Sequence, residues 1–164
     1  MERSRGLYGK RVPTIDDLNL RTVIRFWGIN GQYGPLSNFY PVKIHVDGKD
    51  WPSVEHYYQA QKSTDEAIQE FIRQAKTPVE AKRIGLFGIR LRDDWDSIRE
   101  DVMRKALEAK FTRNRRCRRV LISTGQAVLF EDDSVPTFWS GRGQNKLGLL
   151  LMDIRENIKK ARGY

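Results

Sequence analysis

The sequence predicts a single α+β domain, mostly helical with a small antiparallel sheet, and three observations carry that expectation. Val42-Lys43-Ile44-His45-Val46 alternates like a half-buried strand and runs into Asp47-Gly48, a strong hairpin turn that returns the chain through Lys49-Asp50-Trp51. From Ser53 onward, capping residues precede one helix-period segment after another. A chain of 164 residues is long enough for one domain with a sizeable core and too short for two comfortable ones.

Met1 to about Leu20 is polar and basic without a sustained period, and reads as an arm over residues 1–20 ahead of a domain over residues 21–164. Thr22-Val23-Ile24-Arg25-Phe26-Trp27 is the first strand signal, followed by a loop punctuated by Gly28, Gly31, Gly34 and Pro35. After the hairpin, Ser53 is a good N-cap for a helix carrying Val54, Tyr57, Tyr58 and Gln61 on one side. Asp65 caps the next helix, with Ile68, Phe71, Ile72 and Ala75 on its inner face. Thr77-Pro78 is a cap followed by proline at the first helical position, opening a helix that should stop near Gly85. Asp93 or Asp94 caps the longest helix, about Trp95 to Thr112, whose buried stripe is Trp95, Ile98, Val102, Ala106, Leu107 and Phe111. Arg115 to Ser123 reads as a short helix ended by Gly125, and Ala127-Val128-Leu129-Phe130 as a strand. A polar, Gly-rich loop then leads to a last helix at about Leu147 to Lys160.

A net charge of +9 and a pI near 9.8 favour anionic partners, either a phosphorylated small molecule or nucleic acid. No window approaches the length of a membrane span, so the expectation is a cytoplasmic protein with no membrane association. The single cysteine, Cys117, excludes an internal disulfide framework and a cysteine-based zinc cage. With only His45 and His56 besides, a protein-ligated transition metal is not expected. Both histidines read as structural, His56 as a packing or capping residue.

Candidate chemistry concentrates in Trp51 to Lys62. Glu55, Gln59 and Lys62 fall at i, i+4 and i+7, so a carboxylate, an amide and an amine share one helical stripe roughly 10 Å long. On spacing alone, the ordinary reading is that Glu55 and Lys62 serve the helix dipole at its two ends. The second candidate is Phe138 to Gly148. Its glycines would let backbone amides approach an anion, the helix N-terminus behind it favours negative charge, and Arg142 adds a phosphate donor. Glycines that merely turn the chain explain the loop equally well. Trp95 and Trp139 are either core residues or stacking faces for a base, and helical phase favours core for Trp95. The run Arg113, Arg115, Arg116, Arg118 and Arg119 reads first as a solvated helix face and second as a nucleic-acid patch. Cys117 among these arginines is a candidate for a lowered thiol pKa.

Several separated motifs then converge in order: Leu36-Ser37-Asn38-Phe39-Tyr40-Pro41, the whole Trp51–Lys62 segment, Asp94-Trp95 with Val102 to Leu107, Ala109-Lys110-Phe111, and Asn145-Lys146-Leu147-Gly148 with Leu150 to Arg155. Together they resemble the NADAR family, also called YbiA-like, over about Ile24 to Asn157. The resemblance implies an N-glycosidase, without metal or redox cofactor, that cuts a carbon–nitrogen bond between ribose and a base-like group. The implied substrate is a phosphorylated ribosylaminopyrimidine, an early intermediate of riboflavin synthesis. The alternatives are removal of ADP-ribose from modified guanine in nucleic acid, and a non-catalytic nucleotide or nucleic-acid binding module.

Residue by residue, the resemblance implies Glu55 and Lys62 as catalytic groups. It assigns Trp95 and Trp139 to base stacking, and Asn38 and Asn145 to further polar positions. Phe39, Gln59 and Arg142 complete the expected substrate-binding set. One departure stands out: Pro136 and Ser140 occupy positions where the family commonly has an acid and a glycine. Asp132 and Asp133 are the nearest upstream carboxylates able to replace that acid.

Overall fold

The computed structural model describes residues 22–163, and the expected arm over residues 1–20 lies outside them. The elements run in the order β1 (Val23–Phe26), a 3₁₀ turn (Gly34–Leu36), β2 (Ile44–Val46), β3 (Lys49–Trp51), α1 (Val54–Ala60), α2 (Glu66–Arg73) and α3 (Pro78–Phe87). They continue with α4 (Trp95–Arg113), α5 (Arg115–Ser123), β4 (Val128–Glu131) and α6 (Lys146–Arg162).

The antiparallel sheet is the β2–β3 hairpin, with Ile44 opposite Trp51 and Val46 opposite Lys49. Asp47 and Gly48 at its turn both have positive φ, as a two-residue hairpin of this hand requires. Trp51 is buried, and its indole N–H donates to the Val46 carbonyl at 3.1 Å. The Tyr57 hydroxyl donates to Asp47 at 2.8 Å, so the hairpin turn is bolted to the helix that follows. The first strand does not join this hairpin. Val23–Phe26 pairs in parallel with Val128–Glu131, and the chain between them supplies the long crossover that parallel pairing needs.

Helix α1 is the centre of the domain: all seven of its residues are buried. Ser53 caps it, accepting from the His56 amide, and Glu55 stands in its first turn. Helices α2, α3 and α4 pack around it. Thr77 caps α3 as expected, with Pro78 at the first position, but the helix runs past Gly85 to Phe87. Asp94 is the N-cap of α4 without a side-chain cap bond, because its carboxylate is held by Arg92 at 2.5 Å instead. The inner face of α2 is narrower than expected. Ile72 is fully buried, whereas Phe71 is 67% exposed, because α2 packs mainly against α1 and α3.

Helix α4 buries Trp95, Met103, Ala106, Leu107 and Phe111, and also Lys110. The Lys110 ammonium donates to the Ser37 carbonyl at 2.7 Å and lies over the rings of Phe111 and Tyr40, which anchors the loop carrying Asn38 and Phe39. Burial lowers the pKa of Lys110 to about 7. On the far side, Arg155 of α6 reaches across to Thr124 Oγ1 and the Ala127 carbonyl, at 2.7 and 2.9 Å, and seats the start of β4. Among the described residues, no helix is long and apolar enough to cross a membrane.

Candidate active site

Because α1 is enclosed on every side, its polar stripe faces the interior. Glu55, Gln59 and Lys62 are 5%, 3% and 8% exposed, and Glu55 keeps the first-turn place that the dipole reading gives it. Helix α1 also ends at Ala60, so Lys62 is not in a last helical turn; it sits in the turn beyond, with its amide on the Gln59 carbonyl at 3.2 Å. The Arg92 amide donates to the Lys62 carbonyl at 2.9 Å and fixes that turn against the approach to α4.

Gln59 Nε2 donates to Glu55 Oε1 at 2.7 Å. Burial pushes the Glu55 carboxyl up; the Gln59 bond and the positive charges of Lys82 and Lys62 oppose that rise. Burial likewise pulls the Lys62 ammonium down, opposed by Glu55 and helped by Lys82. Each group is therefore shifted toward its neutral form in this enclosed place. The Glu55 amide donates to the Asn38 carbonyl at 3.2 Å, which joins the Asn38–Phe39 loop to the head of α1. Asn38 Nδ2 rests on the Met103 sulfur at 3.4 Å, while Asn38 Oδ1 is buried with no donor among the described residues. A buried acceptor left empty costs about 1–3 kcal/mol, so Asn38 offers a site for a ligand donor.

The aromatic wall is built on Tyr58. Trp95 packs behind it at 5.1 Å between ring centres, and Trp139 meets it edge-on at 5.4 Å. The Trp139 indole N–H donates to the Tyr58 hydroxyl at 2.9 Å, and Lys62 Nζ stands 5.7 Å from the centre of the Tyr58 ring. Trp95 is 5% exposed and serves as the core backing of this wall, in line with its helical phase, whereas Trp139 is only partly buried. Phe138 fastens the loop to α4, its ring covered by Arg99 at 3.8 Å.

The Gly-rich loop differs from the expected anion cradle. The amides of Gly141, Gly143, Gln144, Asn145, Lys146 and Leu147 all donate to carbonyls of the chain itself, at 2.8–3.3 Å. Its glycines answer to packing: a Cβ on Gly143 would lie 1.8 Å from the Thr137 carbonyl oxygen, and one on Gly141 would lie 2.5 Å from the Phe130 ring. Arg142 is 56% exposed and faces Asp132 at 3.6 Å. Asn145 sits at positive φ and brackets β4, donating to the Leu129 carbonyl at 2.9 Å and accepting from the Glu131 amide at 3.4 Å. The structure thus brings Asn38, Glu55, Gln59 and Lys62 together, with Phe39 on the loop tied to the Glu55 amide; it places Arg142 and Asn145 in the loop that carries Trp139.

Ser140, at the family's glycine position, is fully buried, and its hydroxyl donates to the Val135 carbonyl at 2.9 Å. Its φ is not positive, so the backbone there does not call for glycine. Asp132 faces Arg25 at 3.5 Å and Arg142 at 3.6 Å, and Asp133 accepts from the Val135 amide at 3.1 Å. Their neighbour Glu131 was not legible in the sequence as a site residue. Burial, reinforced by the charges of Asp133 and Glu55, raises its pKa to about 7.

Two further expectations resolve away from the site. Cys117 is fully buried, and burial raises its thiol pKa despite the nearby charges of Lys110 and Arg116. The basic run lies on the end of α4 and on α5, with Arg113, Arg115, Arg116 and Arg119 exposed. His56 caps and packs: its Nδ1 is 2.7 Å from Ser53 Oγ, and its Nε2 is 3.1 Å from the Ala75 carbonyl.

Comparison with known proteins places this arrangement. Residues 25–159 match the NADAR domain. The N-glycosidase YbiA of Escherichia coli is 42% identical over 153 residues, covering 90% of this chain and 96% of that protein. Its NMR structure superposes with a TM-score of 0.79 over 86% of this chain and 87% of that one. An N-glycosidase of Nostoc punctiforme is 43% identical over 83% of this chain and 92% of its own length. A riboflavin biosynthesis protein of Vibrio vulnificus is 38% identical over 86% of this chain, which spans 40% of that longer protein. The chain belongs to the NADAR domain family.

Proposed function

We propose that this chain is an N-glycosidase that hydrolyses the bond between ribose C1 and the amino nitrogen of a ribosylaminopyrimidine 5-phosphate, an early intermediate of riboflavin synthesis, and releases ribose 5-phosphate. The reaction class is supported by the N-glycosidase relatives, and the substrate class by the relative named for riboflavin biosynthesis. The structural observation that carries the reading is the buried Glu55 carboxyl, oriented by Gln59 and flanked by the charges of Lys62 and Lys82. In this reading residues 21–164 form the catalytic domain.

Breaking an N-ribosyl bond builds positive charge on the sugar, and a carboxylate close to C1 stabilises it far better in an enclosed site than in water. Glu55 is the group for that task. Its raised pKa also suits it to exchange a proton with the departing nitrogen or the incoming water. Across the step, water oxygen bonds to C1, the C–N pair leaves with nitrogen, and one water proton goes with it to give the neutral amine. Lys62 has two roles open to it. As an ammonium it holds phosphate or a ribose oxygen. As a free amine, favoured by its lowered pKa, it attacks C1 while the C–N pair leaves with the substrate nitrogen, which takes one amine proton. The ring C1–O bond then opens, the second amine proton passes to that oxygen to leave a Schiff base, and water hydrolyses it to ribose 5-phosphate and the free amine. Gln59 holds Glu55, and Trp139 on its Tyr58 support presents a ring to the base.

The test is a release assay on two substrates in parallel, read by mass spectrometry. Ribose 5-phosphate freed from the ribosylaminopyrimidine, with no ADP-ribose freed from an ADP-ribosylated guanine oligonucleotide, supports the reading. The reverse result moves the assignment to nucleic-acid repair, and binding without release in both makes the chain a non-catalytic module.

A further inference from the structure

We infer that Lys82 is the residue that holds the substrate's phosphate, in place of the Arg142 loop; this rests on the proposed substrate class and adds the group that recognises its anion. Helix α3 lies directly on the polar stripe of α1. A Cβ on Gly85 would stand 2.1 Å from Gln59 Oε1, so the two helices touch at the residue that orients Glu55. Lys82 is three residues before Gly85, one turn back on that same face of α3.

From there its ammonium reaches the Phe39 ring, 5.4 Å from its centre. Phe39 in turn follows Asn38, whose carbonyl holds the Glu55 amide. The positive charge of Lys82 is felt by Glu55 of α1, by Lys62 in the turn beyond it, and by Glu131 of β4. Among the described residues, no carboxylate pairs with Lys82 and no hydrogen bond holds it; its contact is with an aromatic face. An exposed ammonium on a flexible stem, without a partner and beside a buried carboxyl, is fitted to meet an anion arriving with the substrate.

The donors of the Gly-rich loop are largely engaged with the chain itself. The amides of Gly141, Gly143, Gln144, Asn145, Lys146 and Leu147 are spent on the chain's own carbonyls, and Arg142 faces Asp132. Lys62 is buried at the stripe itself, where C1 must come if Glu55 is to act on it. The phosphate lies at the other end of the ribose, and Lys82, on the helix packed against the stripe and over the Phe39 ring, is the cation we assign to it.

The experiment is calorimetric binding of ribose 5-phosphate and of unphosphorylated ribose to wild type, Lys82→Met and Arg142→Met, with circular dichroism confirming the fold of each. The expected result is at least a tenfold rise in Kd for ribose 5-phosphate in Lys82→Met, about 1.4 kcal/mol, with ribose binding unchanged. Undiminished binding by Lys82→Met, a loss confined to Arg142→Met, or failure of wild type to prefer ribose 5-phosphate over ribose would each overturn the assignment. Because binding is read without turnover, wild type that binds ribose 5-phosphate through Lys82 yet releases nothing from the ribosylaminopyrimidine refutes the reaction and leaves the phosphate site standing.

Discussion

Gln59 Nε2 donates to Glu55 Oε1 at 2.7 Å, one helical turn apart inside a helix with no solvent-facing side. The amide does two things at once. It fixes the carboxyl's position, and it holds down a pKa that burial pushes up. Removing it should therefore act on the pH profile as well as on the rate.

For Gln59→Leu, the acid limb of the kcat/KM profile should move to higher pH, because the carboxylate loses its donor while its burial remains. The same change leaves a buried acceptor unpaired and should cost about 1–3 kcal/mol of stability. Rate measurements across pH and a urea titration check both parts. An unshifted acid limb would separate the titrating group from Glu55.

Gly85→Ala tests the contact between α3 and α1. Alanine gains up to about 1 kcal/mol in helix propensity, but its methyl would lie 2.1 Å from Gln59 Oε1 and 2.9 Å from Gln59 Cβ. Overpacking of this kind costs about 1–3 kcal/mol, so the clash outweighs the propensity. The expected outcome is a lower Tm together with a fall in kcat, since Gln59 can move aside only by giving up Glu55. A more stable, fully active variant would show that the helices are not locked at this point.

Glu131 should govern part of the pH dependence of stability. Burial lifts its folded pKa from the ordinary 4.5 to about 7. Its contribution to stability is thus fully present below the unfolded pKa and is lost as pH rises through about 7. Glu131→Gln should match wild type near pH 4 and exceed it at pH 8 by on the order of 2 kcal/mol, allowing for solvent screening. Thermal unfolding of both proteins across that range is the measurement, and the gap should stop growing above about pH 7.

Lys62 separates two chemistries. If its amine attacks C1, borohydride added during turnover should trap a sugar adduct on Lys62, visible as a mass increase on its peptide, and Lys62→Arg should abolish it. Turnover without any trapped adduct assigns Lys62 to the ammonium role.

Much of this architecture is legible in short-range chemistry. Ser53, Asp65 and Thr77-Pro78 cap helices by local bonds, and the Asp47-Gly48 turn builds its hairpin from two residues. What local chemistry does not reveal depends on distant partners. The parallel pairing of Val23–Phe26 with Val128–Glu131 joins strands separated by the hairpin and five helices, and either strand alone carries no mark of its mate. Phe71 has the spacing of a core residue but lacks a neighbour to cover it. The Gly141 and Gly143 pattern suggests an anion cradle until Phe130 and Thr137 are seen to fill the space. Glu55, Gln59 and Lys62 share a stripe on spacing alone, yet only the enclosure of α1 makes that stripe a candidate site. Lys82 and Glu131 carry no signal in the sequence, because what distinguishes them is the charge they face across elements.

The central claim is that Glu55 acts on the ribosyl C–N bond, and the most direct measurement is single-turnover release of ribose 5-phosphate from the ribosylaminopyrimidine by wild type and Glu55→Gln. The substitution keeps the shape and removes the charge. The account predicts a rate lower by roughly a hundredfold or more, with substrate affinity within a few-fold of wild type. A Glu55→Gln protein that releases ribose 5-phosphate at near the wild-type rate would contradict it.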